Sequence, residues 1–277
     1  MDDMQIHFGM IMAVAMLGLI AGSLGGMLGV GGSVVMIPGL VMFYGQAMPD
    51  TPHMNQHIYQ AAAMIANVAV SVPAALRHHR AGATNPAVIR WMLPAALVFV
   101  LVGVWLSNLF DGRDGAIWLG RVLAVMLVYV IYANFRRLFR PSMTKEDVEK
   151  HSRITPGRSG SVGGFMGLNA GLMGVGGGAI AVPMQQLLLK IPLRNCIANS
   201  SAVICISAAI GAVYKNLTLY EHGYDWRISV TLALLLAPTC WVGGHLGAQL
   251  THILPSKVVR VAFIGLMIVA AWKMAAI

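Results

Sequence analysis

The chain has 277 residues, of which 57% are hydrophobic and only 10% are charged. A soluble globular domain carries roughly a quarter charged residues, so this composition excludes a soluble fold and predicts a lipid bilayer as the surroundings. The formal net charge is +9, but the basic residues fall between the apolar stretches, as in loops that meet anionic lipid. Nucleic acid is therefore not an expected partner.

The first element along the chain is a glycine-rich segment with a short apolar arm on each side. Phe8 to Tyr44 spans 37 residues, far more than the roughly 20 that one crossing needs, yet the second arm, Ser33 to Tyr44, has only 12. These lengths favour a re-entrant helical hairpin. A single broken crossing stays open as the alternative, because the charge distribution hardly separates the two arrangements.

Three longer apolar stretches follow the glycine segment in each half of the chain. A helix needs roughly 17 to 25 residues to cross a bilayer, and these stretches meet that requirement. They are Ile58 to Leu76, Ile89 to Phe110 and Ala116 to Phe135 in the first half, and Cys196 to Tyr214, Arg227 to Leu250 and Lys257 to Lys273 in the second. The sequence therefore predicts an all-α polytopic membrane protein.

A polar linker separates the two halves. The segment from Arg136 to Arg158 holds seven Lys or Arg residues, and the usual excess of these residues on cytoplasmic loops places the linker inside. Lys215 is then one of five basic residues left on the outside. We expect a first transmembrane repeat over residues 1–137, a cytoplasmic linker over 138–158 and a second repeat over 159–277.

The second half repeats the glycine segment of the first. Gly22-Ser-Leu-Gly-Gly-Met-Leu-Gly-Val-Gly-Gly32 is matched by Gly167-Leu-Asn-Ala-Gly-Leu-Met-Gly-Val-Gly-Gly177, and each position is 145 residues farther on. If each unit holds one hairpin and three crossings, the number of crossings is odd and the two units have opposite orientations. Inverted repeats of this kind are the plan of many secondary transporters.

The repeated glycines predict a binding site. Each glycine costs roughly 1 kcal/mol relative to alanine inside a helix, and unwound backbone at membrane depth is tolerated only where it is buried in protein or lines a cavity. Bare backbone N–H groups at the start of the following helix attract anions, so we expect a small anion between the two breaks. The predicted binding residues are Gly29, Val30, Gly31, Gly32 and Ser33, and Gly174, Val175, Gly176, Gly177 and Gly178.

Other glycines and several neutral polar residues have competing interpretations. Glycines four residues apart, Gly22 with Gly26 and Gly167 with Gly171, are typical of close helix packing rather than of binding. Further candidate ligands are Asn169, Asn199, Ser200 and Ser201, with weaker claims for Gln60 and Asn67. Each of these side chains could equally be satisfied by the backbone of a neighbouring helix.

The positions of the acidic and sulfur-containing residues exclude several functions. All ten acids fall in loops or at the edges of apolar segments, which argues against a cation pump and against an intramembrane enzyme that uses carboxylates. Cys196, Cys205 and Cys240 form no CxxC pair and no metal-binding spacing. We therefore expect no catalytic residues, no metal site and no cofactor.

The two elements Gly29 to Pro38 and Gly174 to Pro183, in halves joined by a polar linker, resemble the sulfite exporter TauE/SafE family. The resemblance covers nearly the whole chain and implies transport of sulfite, sulfoacetate or related organosulfur anions across a bacterial inner membrane. It also matches Asn199 to Ser201 with the small hydroxyl-bearing stretch that follows the family's second hairpin. The first half departs from the family here, since Gln60 to Met64 contains no hydroxyl group.

The residues and the resemblance together predict an exporter of a small sulfur-containing anion, sulfite or an organosulfonate, that works by alternating access. One alternative is an importer or channel for another small anion. A second, from a different class, is a membrane scaffold or sulfur-relay protein in which Cys205 or Cys240 carries a persulfide. The sequence leaves the oligomeric state open, a homodimer included.

Overall fold

A computed structural model of the chain describes residues 2–44, 56–109 and 152–255 continuously, together with isolated residues and short runs between 125 and 138 and between 257 and 272. Every regular element within the three continuous ranges is helical. The α-helices are α1 (Asp2–Leu28), α2 (Ser33–Tyr44), α3 (Gln56–Arg80), α4 (Pro86–Leu109), α5 (Pro156–Met173), α6 (Gly178–Met184), α7 (Leu193–Thr218) and α8 (Trp226–Ile253). A π-helical turn, Gln185–Leu189, follows α6, and a 3-10 turn, Leu219–His222, follows α7.

Within the described residues, four helices are long and apolar enough to cross a membrane. They cover His57–Arg80, Pro86–Leu109, Leu193–Glu221 and Trp226–Ile253, so the first two predicted crossings of each half are confirmed. The third predicted crossing of each half, at Ala116 to Phe135 and at Lys257 to Lys273, and most of the linker lie outside the continuously described residues.

The first glycine segment folds back on itself as a hairpin. A Cβ added to Gly32, just before α2, would lie 3.1 Å from the carbonyl oxygen of Ala21 in α1. A Cβ added to Gly39, farther along α2, would overlap the Leu17 side chain. Because later residues of α2 meet earlier residues of α1, the two helices are antiparallel. The segment thus folds back on itself, as the hairpin prediction requires, and its re-entry from one side of a membrane stays a prediction.

The second glycine segment has the same arrangement. The Arg153 N–H, just before α5 begins, donates a hydrogen bond of 2.9 Å to the carbonyl oxygen of Leu189, at the end of the π-helical turn. The 37 residues from Arg153 to Leu189 thus begin and end side by side. α6 and the turn after it run back along α5.

Rows of glycines spaced four residues apart, here called glycine stripes, allow each hairpin to pack closely against a long helix from the other half of the chain. α1 packs along α8, and α5 packs along α4. A Cβ on Gly26 would lie 2.9 Å from the Gly244 Cα atom, and a Cβ on Gly167 would lie 2.9 Å from the Ala96 Cα atom. Backbones approach this closely only where side chains are missing. The packing interpretation of the four-spaced glycines is confirmed.

The helices α3 and α7 form the centre of the bundle and run antiparallel. The end of α7 meets the start of α3 where Lys215 Nζ donates to His57 Nδ1 at 2.7 Å. The start of α7 meets the loop after α3 where Asn195 Nδ2 donates to the Ala83 carbonyl oxygen at 2.9 Å. The two outer pairs are also counterparts. In the pair α1 with α8 the hairpin helix belongs to the first half and the long helix to the second, and in the pair α5 with α4 the reverse holds.

We expect Gly167→Ala to lower the melting temperature of the purified protein by several degrees. The added methyl group would overlap the backbone of α4, and overpacking costs about 1 to 3 kcal/mol. Gly160→Ala is the matched control on the same helix, because its methyl group would have only the Trp91 carbonyl oxygen near it, at 3.9 Å. A thermal unfolding series in detergent checks this, and equal melting temperatures for the two variants would contradict the packing argument.

Candidate functional site

The first glycine break is closed by a polar side chain from α3. Gly29 and Gly31 have φ angles of 64° and 82°, in the left-handed region that ends α1 and turns the chain. Asn67 Oδ1 accepts a hydrogen bond of 3.1 Å from the Ser33 N–H, and Asn67 Nδ2 donates to Ser33 Oγ at 2.8 Å. Asn67 therefore caps the first turn of α2 from a different helix.

The second break is formed by backbone alone. Gly174, Gly176 and Gly177 have φ angles of 70°, 76° and 73°, and the Gly174 N–H closes α5 by donating to the Ala170 carbonyl oxygen at 2.9 Å. α6 then begins at Gly178 with no side chain bonded to its first turn. The N–H groups that begin this helix thus lack the side-chain cap that Asn67 supplies to α2.

The two breaks are in direct contact. A Cβ on Gly178 would overlap the Gly29 carbonyl oxygen and lie 2.6 Å from the Val30 Cα atom. A Cβ on Gly176 would lie 3.0 Å from the Val30 carbonyl oxygen and 3.1 Å from Asn67 Nδ2. The Asn67 side chain thus lies beside both breaks. The predicted glycine loops come together, as a closed pair without room for side chains between them.

The place of Asn67 along α3 shows how far the breaks lie from the two ends of that helix. It lies near the middle of the crossing helix His57–Arg80, so about 15 to 20 Å of helix extends on each side at 1.5 Å per residue. The hydrocarbon core of a bilayer is about 30 Å thick. The breaks therefore lie beside the middle of a helix that is long enough to cross a membrane. The signal for Asn67 in the sequence was an amide within an otherwise apolar run.

The predicted ligands on α7 are held in a structural network. Asn199 Oδ1 accepts from the Asn85 N–H at 2.8 Å, and Asn199 Nδ2 donates to Gln185 Oε1 at 3.1 Å. Gln185 Nε2 in turn donates to Ser200 Oγ at 2.9 Å. These bonds tie α7 to the turn after α6 and to the loop before α4. Ser201 is buried beside them, at 2% exposure.

Asn169 differs from the residues on α7. It lies on α5, five residues before Gly174, and its side chain is 5% exposed. Its Nδ2 group has no hydrogen-bond partner among the residues that the structure describes. An unsatisfied buried donor costs roughly 1 to 3 kcal/mol, so this amide is available to an acceptor that binds near the second break.

Lys215, which the charge distribution predicts to lie on the outside, is a buried residue. Its side chain is 1% exposed and lies among α3, α4 and α7. Besides His57, its ammonium group donates to Asn108 Oδ1 at 2.8 Å and to Ser107 Oγ at 3.2 Å. The position of Lys215 at the end of an apolar run could not reveal that three helices enclose it.

Paired hairpins whose broken tips meet beside the middle of a membrane-length helix, with four helices of that length among the described residues, are typical of a polytopic helical membrane protein. The chain belongs to the sulfite exporter TauE/SafE family, whose family model matches residues 14–274. It is therefore a multi-pass protein of a membrane transporter family.

The relatives bear transporter names. The chain is 28% identical to the probable membrane transporter protein MamO of Magnetospirillum gryphiswaldense over 95% of its own length, but it spans only 44% of MamO. It is 25% identical to the probable membrane transporter protein YunE of Bacillus subtilis, covering 89% of this chain and 90% of YunE. The sulfite exporter TauE/SafE family protein 3 of Arabidopsis thaliana is 34% identical over 41% of this chain and 24% of its own. No solved structure matches the chain.

We expect Asn67→Ala and Ser33→Ala to be strongly coupled, because the two side chains bond each other and the Asn67 amide also caps α2. Loss of a helix cap costs about 0.5 to 2 kcal/mol. Asn67→Ala should lower the melting temperature, and adding Ser33→Ala should lower it little further. Thermal unfolding of the two single variants and the double variant measures this coupling. Additive losses would show that the contact contributes little.

Proposed function

We propose that this protein exports a small sulfur-containing oxyanion, sulfite or an organosulfonate, and that the anion binds between the two glycine breaks. The observation that carries the proposal is the meeting of the two glycine breaks, each at the start of a helix, of which the second has no side-chain cap. Backbone N–H groups at helix starts favour negative charge. The amide of Asn67 lies beside both breaks, and Asn169, five residues before Gly174, has a buried Nδ2 group with no hydrogen-bond partner among the described residues.

The substrate class is supported by names and by chemistry. The family is described as sulfite exporters, and the Arabidopsis relative carries the same description. An oxyanion offers several acceptor oxygens to the break N–H groups and to the amides. The candidate binding residues remain those of the two breaks, Gly29 to Ser33 and Gly174 to Gly178, with Asn169. The polar groups of Asn199 and Ser200 are already engaged by Gln185, so we assign them a supporting role.

The transport mechanism that we propose is alternating access by two inverted repeats, residues 1–137 and 159–277, joined by a cytoplasmic linker over 138–158. The antiparallel α3 and α7, and the exchanged helix pairs around them, support an inverted arrangement. With Gly178 against Gly29 the breaks are closed on each other, so an anion enters when the hairpins separate. A membrane potential that is negative inside favours the exit of an anion by about 2.3 kcal/mol per charge per 100 mV.

We expect the double variant Gly31→Val, Gly176→Val to lose sulfite flux in liposomes while it still expresses. A Cβ on Gly31 would lie 2.9 Å from Asn67 Oδ1, and both positions have positive φ angles. The matched control is Gly82→Val with Gly223→Val, since these glycines have φ angles of 65° and 76° but open space around them. Uptake of labelled sulfite, with sulfate and chloride as comparisons, is the measurement. Normal flux in the break variant would refute the site.

Replacing Cys196, Cys205 and Cys240 together by alanine should leave flux intact, because the export mechanism uses no thiol. Cys196 and Cys240 are fully buried, which also suits packing better than a persulfide relay. The same liposome assay compares the triple variant with the unaltered protein. Loss of flux in a variant that still folds would favour the sulfur relay over the exporter.

A further inference from the structure

The two glycine breaks meet different side chains at the same point of the repeat. A Cβ on Gly29, in the first break, would lie 2.6 Å from the Ile197 carbonyl oxygen and 3.0 Å from the Ile197 Cγ2 atom on α7. A Cβ on Gly174, 145 residues after Gly29, would lie 3.0 Å from the Gln60 Cβ atom and 3.1 Å from its Cγ atom on α3. The first break therefore packs against an aliphatic side chain where the second packs against one that ends in an amide.

The Gln60 amide has a donor that the described residues leave unused. The side chain is 1% exposed, and its Oε1 accepts a hydrogen bond of 3.3 Å from Ser107 Oγ. Its Nε2 group is buried and has no hydrogen-bond partner among the described residues. A buried donor without an acceptor destabilises a fold, and an aliphatic residue such as Ile197 would avoid that cost. Packing against the break therefore does not account for an amide at this position.

Hydrogen bonds from α4 and α7 fix the orientation of this amide. Lys215 Nζ donates to Ser107 Oγ at 3.2 Å. Because an ammonium group has no acceptor, the Ser107 oxygen accepts in that bond, and the Ser107 hydroxyl proton remains to donate to Gln60. The oxygen of the Gln60 amide therefore faces Ser107, and its Nε2 group lies on the side away from Ser107. The network thus assigns which end of the amide is held and which end stays unused.

The amides near the two breaks differ in what they bind. At the first break both polar atoms of the Asn67 amide bond to Ser33, so the protein itself uses this amide. Near the second break, Gln60 and Asn169 each have a buried amide nitrogen without a hydrogen-bond partner among the residues that the structure describes. Two unused donors near one break favour a ligand there that carries acceptor atoms.

We propose that Gln60 is a substrate-binding residue, that its Nε2 group donates to an oxygen of the sulfite or sulfonate group at the second break, and that Ser107 is its positioning residue. This proposal rests on the proposed export function and deepens it. A sulfite or sulfonate group has three oxygens, so one can accept from Gln60 while the others accept from the break N–H groups and from Asn169. The two breaks then have unequal shares in binding, and the second has the larger one.

The test uses the full chain and two measurements. The first is the rise in melting temperature as sodium sulfite, or sodium methanesulfonate, replaces sodium chloride at constant ionic strength, which gives a half-saturating concentration. The second is the KM for labelled sulfite in proteoliposomes. Gln60→Met removes the donor with little change in volume, Gln60→Asn keeps an amide, and Ser107→Ala removes the hydroxyl group that orients Gln60. The matched control is Ile197→Met, which places the same side chain against the first break, where no amide is lost.

We expect Gln60→Met to raise the half-saturating concentration of both anions and the KM about tenfold or more, since a hydrogen bond to a charged group is worth at least that factor. Gln60→Asn and Ser107→Ala should raise them by a smaller factor, because the donor remains but is displaced or free to turn. Ile197→Met should behave as the unaltered protein. In chloride alone, the melting temperature of Gln60→Met should stay close to that of the unaltered protein, because an aliphatic residue fills the counterpart position.

Unchanged half-saturation and KM in Gln60→Met would overturn the proposal and would show that the amide binds an ordered water only. An equal loss of affinity in Ile197→Met would also overturn it, because the effect would then come from packing at either break. If Gln60→Met does not fold, Ser107→Ala decides, and unchanged half-saturation in that variant overturns the proposal.

The two measurements separate this site from the export function. If the unaltered protein moves no sulfite but its stabilisation by the anions depends on Gln60, the export function fails and the binding site stands. If sulfite flux keeps the same KM in Gln60→Met, the export function stands and Gln60 is not part of the site. If the unaltered protein shows neither flux nor stabilisation, both fail.

Discussion

The contact between the two glycine breaks is the constraint on which the rest of the structure depends. Unwound backbone in a bilayer must find its hydrogen bonds inside the protein, since lipid supplies none. Here one break takes them from Asn67, and each break packs against the other so closely that Gly178 touches the Gly29 carbonyl oxygen. Both hairpins must therefore reach the same depth, and α3 must pass beside them with its amide at that depth.

The glycine stripes carry the same constraint to the surrounding helices. Gly26 against Gly244 and Gly167 against Ala96 bring backbones close enough that each hairpin is seated on a long helix from the other half of the chain. The energy of such contacts comes from dispersion over closely matched surfaces, because lipid removes the hydrophobic drive between helices. Each half of the chain therefore holds the hairpin of the other half.

The charged residues are not spread evenly along the α3 and α7 pair. The mid-depth region near Asn67 has amides and bare backbone, whereas basic residues lie at the two ends of the α3 and α7 pair. The centre of the helix pair is thus neutral and rich in hydrogen-bond donors, and the basic residues lie away from it.

The sequence by itself determined the features that depend on local chemistry. Apolar length predicted α3, α4, α7 and α8, glycine pairs predicted both breaks, and a short second arm predicted the hairpins. Tertiary structure alone decided which side chains meet. It placed Asn67 at the breaks, tied Asn199 to Gln185 and enclosed Lys215, which had looked like an end-of-helix cation. The physical reason is that these contacts join residues far apart in the chain. An apolar helix pattern does not specify which of its faces will meet which partner, so packing decides whether a polar group is satisfied, unpartnered or buried.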